Sequence, residues 1–222
     1  MSTDTGREGR AARDGGMSDT ARLETFADGV FAIAITLLIL EVKVPSVAGA
    51  RLGAAVAHQW PSYAGYVVSF LTIGVMWVNH HHMFKLIERT SHGFLMTNVV
   101  FLMTIAFLPW PTALVAEYIR DPSGRTVATV VYGLTMTAIA IMFNVVWRYA
   151  SGRGALLGQE VDPAAVVRTR RSYLMGPIVY ATATLVALAN PFISLSIFAA
   201  LAVYWLLPGT GPRGMTRPPE PA

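Results

Sequence analysis

Residues 22–45 read RLETFADGVFAIAITLLILEVKVP, and this stretch decides how the chain folds. Its segment 29–40 carries no charge, and Phe26 and Val42 extend the apolar run on either side. A helix needs about 20 apolar residues to cross the hydrocarbon core of a bilayer. The stretch therefore predicts a membrane-spanning helix over residues 22–44.

The whole chain has the composition of a membrane domain. Of its 222 residues, 54% are hydrophobic and only 14% are charged, against about 25% charged in an average soluble protein. The mean hydropathy is +0.49. This composition excludes a disordered chain and argues against a soluble domain. The length fits one membrane domain of six spans and leaves no room for a second folded domain.

Five further apolar segments are predicted to cross the membrane. They lie at residues 60–84, 94–116, 126–147, 172–189 and 192–207. A polar, arginine-rich segment at 148–171 separates the fourth span from the fifth. Asn190-Pro191 separates the fifth from the sixth, because proline cannot continue a helix without losing a hydrogen bond. The runs are too long for membrane strands and lack strict alternation, so the sequence predicts an all-α integral membrane domain over residues 21–207.

The two ends of the chain are predicted to be disordered tails. Residues 1–20 are rich in glycine, serine, threonine, aspartate and arginine, and residues 208–222 are rich in proline and glycine. The first basic residues are not followed by an apolar core and a small-residue cleavage site. The amino terminus is therefore not predicted to be a secretory signal.

Basic residues are divided unequally between the two sides of the six-span domain. With both termini on one side, 13 of the 17 basic residues fall there, and only Lys43, Arg51, Arg120 and Arg125 fall on the other. The positive-inside rule therefore predicts cytoplasmic termini in a multi-pass protein of the cell membrane. A five- or seven-span arrangement would lose this asymmetry. The asymmetry also accounts for the net charge of +4 without a nucleic-acid partner.

The sequence offers no chemistry typical of an enzyme. It has no cysteine, which excludes disulfides, thiolate metal sites, iron–sulfur clusters and cysteine nucleophiles. It also lacks a paired-carboxylate site, a Ser/His/Asp signature, a phosphate-binding glycine loop and a zinc-protease helix motif. The consecutive histidines 80–82 fan out by about 100° each around a helix and do not converge on one ion. We therefore expect no enzyme activity, no metal site and no bound cofactor.

Polar residues mark the cytoplasmic ends of the first two predicted spans. Arg22 and Asp28 lie at the start of the first span, and Trp77, Asn79 and His80 lie at the end of the second. A carboxylate at membrane depth is costly and needs a partner. Because the two groups lie at the same depth, one interpretation is a hydrogen-bonded network that locks the two helices together. The alternative is that Asp28 lies at the water interface and only caps or solubilises the helix end.

Ile33, Leu37 and Leu40 form a stripe along one side of the first predicted helix, at spacings of i, i+4 and i+7. Any apolar helix carries such a stripe, which can face lipid or another helix. Rings of bulky apolar side chains around an axis can instead constrict a pore and gate it by dewetting. The residues alone leave both interpretations open.

The segment 22–45 resembles the signature first helix of the endosomal/lysosomal potassium channel family, transmembrane protein 175, in its bacterial branch. That signature is Arg, three residues, then Phe-Ser-Asp, and Arg22, Phe26 and Asp28 match it. Two further stretches match the ends of the second and third helices of the family. They are Trp77-Val-Asn79-His80-His81 and Phe107-Leu-Pro109-Trp110-Pro111-Thr112 with Glu117-Tyr118. The last three spans match only in number and hydrophobicity.

The resemblance implies a homotetramer in the membrane, with six helices per chain and a central cation pore lined by the first helix of each copy. The family lacks a carbonyl filter, and its selectivity is attributed to layered apolar residues of that helix. Alignment on Asp28 places these layers at Ile33, Leu37 and Leu40, with Thr36 supporting the constriction from behind. The motif that packs the first helix in place would comprise Arg22, Phe26, Asp28, Trp77, Asn79 and His80.

Ala27 departs from the family signature, because it stands where the family has serine. The change removes a hydroxyl donor, and a hydrogen bond of this kind is worth about 1 kcal/mol net. We expect the fold to survive this loss.

The resemblance implies a potassium-preferring cation channel that conducts passively, with K⁺ as the permeant ion. Potassium holds its water less tightly than sodium, so an apolar constriction favours potassium modestly, because no oxygen cage replaces the lost water. Two other functions stay open. One is an ion-coupled secondary transporter, although the usual mid-span acidic residues of that class are missing. The other is a non-conducting membrane scaffold for partner proteins.

Overall fold

The computed structural model describes the backbone of residues 5–152 and 156–207, and the side chains from Asp19 onward within those ranges. The described residues form eight α-helices. In chain order these are α1 (Thr5–Leu37), α2 (Leu52–His58), α3 (Trp60–Phe84), α4 (His92–Phe107), α5 (Pro109–Tyr118), α6 (Arg125–Ser151), α7 (Pro163–Ala189) and α8 (Pro191–Leu206).

Five helical stretches are long and apolar enough to cross a membrane, which confirms the prediction of an all-helical membrane chain. They cover Asp19–Glu41, Trp60–Phe84, His92–Tyr118, Arg125–Ser151 and Pro163–Ala189. The sixth predicted span corresponds to α8, which has only 16 residues. Within the described residues there is no strand, and a single antiparallel bridge joins Ile87 to Leu157 in the loops that follow α3 and α6.

Helix α7 begins nine residues earlier than the predicted fifth span, so part of the segment 148–171 is helical rather than loop. The side chain of Asp162 accepts hydrogen bonds from the backbone N–H groups of Ala164 and Ala165, at 3.0 and 3.2 Å. Pro163 occupies the first helical position, where its missing N–H is not needed. The helix therefore starts at this cap, and its arginine-rich first turns precede its apolar part.

Helix α1 also begins earlier than predicted, because it extends back to Thr5 into the segment 1–20 that the sequence predicts as disordered. Residues 7–13 contain arginine, glutamate and alanine, which favour helix. Once the apolar part of α1 is formed, propagation adds one hydrogen bond for each residue that is fixed. Residues 1–4 and the predicted tail 208–222 lie outside the described part of the chain.

Proline interrupts the third predicted span. Helix α4 ends at Phe107, and Pro109 begins α5 after a single intervening residue. The first span tightens at its end in a similar way, since α1 passes into a 3₁₀ turn at Leu38–Glu41. Both interruptions lie near a span end, where fewer backbone bonds are lost.

One face of α1 packs into the body of the chain, against α3 and α4. Its buried apolar residues are Leu23, Ala27, Phe31 and Ala34, and Leu38 in the following 3₁₀ turn continues the row. They recur every three or four residues and so share one side of the helix. They belong to a single hydrophobic core that also includes residues of α3, α4, α6, α7 and α8. Because this face is buried, the orientation of α1 about its own axis is fixed.

Candidate functional site

The opposite face of α1 is apolar and exposed. Ile33 is 61% exposed, Leu37 41% and Leu40 67%. Helix α1 is thus apolar on both its buried face and its exposed face, but only the buried face packs into the core of the chain. The predicted stripe therefore lies on the outer surface of the described chain, where lipid or another copy of the chain can contact it.

Thr36 lies on this same exposed face, beside the stripe rather than behind it. Its hydroxyl donates to the backbone carbonyls of Ala32 and Ile33, each at 3.0 Å. A threonine hydroxyl that bonds within its own helix is satisfied without a partner from another helix. Thr36 can therefore face lipid, a neighbouring chain or a pore without an unmet hydrogen bond.

A polar pair joins α1 to α3 where the sequence predicts contact between the two helices. The indole Nε1 of Trp77 donates to Oδ1 of Asp28 at 2.8 Å. Asp28 is half-buried, and its carboxylate accepts from a neutral donor, the indole N–H of Trp77. This bond fixes the axial position of α1 relative to α3.

A second polar pair, which the sequence did not lead us to predict, lies one helical turn away. Nδ1 of His81 donates to Oε1 of Glu24 at 2.8 Å. Glu24 precedes Asp28 by four residues, and His81 follows Trp77 by four. In neighbouring helices that run in opposite directions, such residues meet at successive turns. That matched spacing is the signal that could have predicted the pair. We call the Asp28–Trp77 and Glu24–His81 pairs together the polar anchor.

His80 ties α3 to α4 in the core. It is fully buried, and its Nε2 donates to Oδ1 of Asn98 at 3.0 Å. Its ring lies 4.3 Å from that of Phe84, 5.4 Å from that of Phe31 and 5.6 Å from that of Phe101, measured between centroids. His80 therefore supports α1 through Phe31, while Asn98 is a partner that no sequence motif indicated.

Other residues of the predicted motif lie elsewhere. Arg22 and Phe26 are on exposed surface of α1, with Phe26 55% exposed. Asn79 lines a cavity with residues of α6, α7 and α8, away from α1. Ala27, at the position of the family serine, is fully buried. The structure therefore places Asp28 and Trp77 in the polar anchor, His80 in a buried pair with Asn98, Asn79 at a separate cavity, and Arg22 and Phe26 on exposed surface.

The bond between Asp28 and Trp77 should be measurable as a coupling energy. We expect the combination of Asp28→Ala and Trp77→Phe to destabilise the protein by about 1–2 kcal/mol less than the sum of the single changes. Unfolding of the detergent-solubilised protein measures this difference. Asp28→Ala combined with Trp110→Phe is the matched control, because Trp110 is exposed on α5. If the destabilisations caused by Asp28→Ala and Trp77→Phe simply add in the double variant, the bond does not contribute to stability.

Five helices of spanning length make this chain a multi-pass membrane protein. Its residues 22–109 match the family model described as endosomal/lysosomal potassium channel TMEM175. A potassium channel of Streptomyces collinus is 43% identical over 190 residues, which cover 85% of this chain and 92% of the relative. The chain belongs to the TMEM175 family.

Two further similarities involve Chamaesiphon minutus. A potassium channel of this organism is 43% identical over 193 residues, which cover 86% of this chain and 95% of the relative. The crystal structure of a lysosomal potassium-selective channel TMEM175 homolog from the same organism is similar in fold, with a TM-score of 0.78 and 41% identity. The similarity covers 85% of this chain and 96% of that chain.

Proposed function

We propose that this chain is a potassium channel that conducts passively through a central pore lined by α1 from several copies. The observation that carries the proposal is the exposed apolar face of α1, with Ile33, Leu37 and Leu40, opposite a face that is fully engaged in the core. The membrane relatives from Streptomyces collinus and Chamaesiphon minutus are potassium channels. The residues supply a channel wall rather than the nucleophiles, acids or metal ligands of an enzyme.

The pore requires a homo-oligomer in this proposal. One α1 helix supplies only one wall, so several copies must surround the axis, and a closed ring of identical subunits is the usual arrangement. The tetramer comes from the family resemblance. An apolar face that its own chain leaves exposed is consistent with burial between copies or along a constricted pore.

The proposed membrane arrangement has six spans and cytoplasmic termini. Helix α8 measures about 24 Å over its 16 residues, which is somewhat short of the roughly 30 Å hydrocarbon core. Its start is nevertheless tied to α7, because the hydroxyl of Ser194 donates to the backbone carbonyl of Ala183 at 2.7 Å. With six spans the polar anchor lies at the cytoplasmic end of the pore helix, in the cell membrane.

Conduction in this pore depends on the hydration of the ion. Ile33, Leu37 and Leu40 offer no oxygen to replace water, so an ion passing them must keep or shed part of its hydration shell. Potassium sheds water more readily than sodium, which favours potassium. The polar anchor contributes by holding α1 at fixed height and rotation, so that the same side chains face the axis in every copy.

A cysteine introduced on the stripe tests this arrangement, because the natural chain has no cysteine. In proteoliposomes that pass potassium, we expect a water-soluble cationic thiol reagent to block most of the flux through Leu40→Cys. The modified side chain would narrow the pore and place a positive charge in it. Val127→Cys is the matched control, because Val127 is 63% exposed near the same predicted membrane face, on α6.

The outcomes separate the candidate functions. Equal block of both variants, or full labelling of Leu40→Cys without block, would exclude α1 as the pore lining. Potassium uptake that requires a second solute would favour the ion-coupled secondary transporter. A folded oligomer that passes no ion would favour the scaffold.

A further inference from the structure

A cavity of about 270 Å³ lies away from α1, at the end of the molecule where α3 and α6 begin and α5 ends. We call it the outer cavity. Its walls come from α3, α5, α6 and α8, and they are mainly apolar. The large side chains that line it are Trp60, Val68, Val115, Ile119, Tyr132, Phe192, Leu195 and Phe198. A space of this size and character fits a flexible hydrocarbon chain.

The outer cavity runs along α3 from its start toward the middle of the membrane. From Trp60 to Ser69 the helix rises about 14 Å. At the deep end, the hydroxyl of Ser69 donates to that of Thr112 at 2.8 Å, and Thr112 donates to the backbone carbonyl of Leu108 at 2.9 Å. The two hydroxyls thus satisfy each other and the backbone. These hydroxyls therefore need no polar group of a ligand at the deep end of the cavity.

Two arginines flank the mouth of the outer cavity. The guanidinium carbon of Arg120 lies 5.8 Å from the centre of the Trp60 ring, and that of Arg125 lies 5.3 Å from the centre of the Phe192 ring. Cation–π contacts of this kind hold the guanidinium against the ring. Both rings line the cavity, so the two positive charges lie next to its opening.

These guanidinium groups retain donors for an anion. Nη1 of Arg120 donates to Nδ1 of His58 at 2.9 Å, and Nη2 donates to the backbone carbonyl of His58 at 2.5 Å. These bonds hold the guanidinium at the mouth and leave its Nε–H and the remaining terminal N–H groups as donors for an anion. Such forks match phosphate oxygens in geometry as well as charge. The mouth therefore combines positive charge with a geometry suited to phosphate.

Two acidic residues lie at the same end of the molecule as the two arginines. Hydrogen bonds from the hydroxyl and backbone N–H of Ser123, at 2.7 and 3.0 Å, hold the pKa of Asp121 below its usual range, so this carboxylate is charged. The positive charge of Arg125 also acts on this carboxylate, so Asp121 offsets part of the positive charge at the mouth. Glu117 is exposed and is the penultimate residue of α5. Because the two acidic residues formally balance the two arginines, the position and fork geometry of the guanidinium groups, rather than net charge, carry the recognition of a phosphate group.

We propose that the outer cavity binds one acyl chain of a membrane glycerophospholipid whose phosphate contacts Arg120 and Arg125. This inference goes beyond ion conduction and rests on the proposed function only for the choice of leaflet, which is the outer one. An apolar chain joined to a phosphate matches an apolar cavity with guanidinium groups at its mouth. A second copy of the chain would supply no phosphate.

Native mass spectrometry of the complete protein in detergent, titrated with phosphatidylglycerol, tests the mouth of the cavity. We expect Arg120→Gln combined with Arg125→Gln to raise the apparent dissociation constant about tenfold or more, because two charged contacts are lost. Arg51→Gln is the matched control, since Arg51 is an exposed arginine on the same predicted side and away from the cavity. Phosphatidylcholine in a parallel titration measures the contribution of head-group charge.

A second pair of variants tests the cavity itself. Ala199 lines it, whereas the next residue on α8, Ala200, is exposed. Ala199→Phe should fill the cavity and abolish binding, and Ala200→Phe should bind as the natural protein does. Ala64→Leu fills the cavity from α3 and replaces Ala199→Phe if that variant does not fold.

Unchanged lipid binding in the arginine double variant or in the filled cavity would overturn the proposal. So would equal loss in Arg51→Gln. A change in the number of chains per oligomer on filling the cavity, with no lipid bound to the natural protein, would assign the cavity to a second copy instead. Because none of these measurements uses ion flux, their failure leaves the channel function untouched.

Discussion

Ile33→Asn is expected to abolish the preference for potassium over sodium while ions continue to pass. We expect a modest preference in the natural channel, on the order of tenfold, which corresponds to about 1.4 kcal/mol. Ile33 is 61% exposed on the face of α1 opposite the core. Asparagine would bring a carbonyl oxygen and an amide into the constriction, so either ion could replace lost water there. The difference in dehydration between the two ions would then no longer decide which one passes.

Flux of potassium and sodium into proteoliposomes measures this effect. Ile178→Asn is the matched control, because Ile178 is 58% exposed on α7, away from the stripe. That variant should keep the preference of the natural channel. A natural channel that passes sodium better than potassium would contradict the proposed mechanism. The same loss of preference in both variants would show that the effect is not specific to α1.

Hydropathy predicted the approximate positions of the five stretches of spanning length, because a bilayer imposes a length of about 20 residues on each span. It placed the start of α7 nine residues too late. Hydropathy marks the part of a helix that lies in lipid, whereas the helix itself continues as far as backbone hydrogen bonds can form. The cap at Asp162 and the proline after it were the local signals that set the true start.

The polar contacts could be predicted only in part. The contact between Asp28 and Trp77 was predictable, because counting residues along each helix places the two side chains at the same depth. The direction in which a side chain points around the helix axis does not follow from counting residues alone. Asn79 and His80 are adjacent and differ by about 100° around α3, and only the packing of α4 and α6 decides that His80 faces the core while Asn79 faces a cavity. Asn98 was missed for the same reason, since its partner lies on another helix.

In the proposed pore, the rotation of α1 about its axis determines which residues face the ions, and the buried face of α1 holds that rotation. We therefore expect the largest effect on stability from a residue of the buried face. Phe31 is 1% exposed, and its ring lies 5.4 Å from that of His80 and 6.1 Å from that of Phe101, between centroids. We expect Phe31→Ala to destabilise the protein by about 3–5 kcal/mol, because it removes contacts and leaves a cavity. Loss of this packing would also free the helix to rotate and so disturb the stripe.

Phe26→Ala is the matched control for this prediction, since it makes the same change five residues earlier on the same helix. Phe26 is 55% exposed, so its loss should change the free energy of unfolding by less than about 0.5 kcal/mol. Denaturant unfolding of both variants in detergent gives the comparison, with potassium flux as a second readout. Equal destabilisation by the two changes would mean that α1 buries both faces within its own chain. In that case the stripe could not line a pore. The proposed orientation of α1 requires that only the face with Phe31 is buried within the chain.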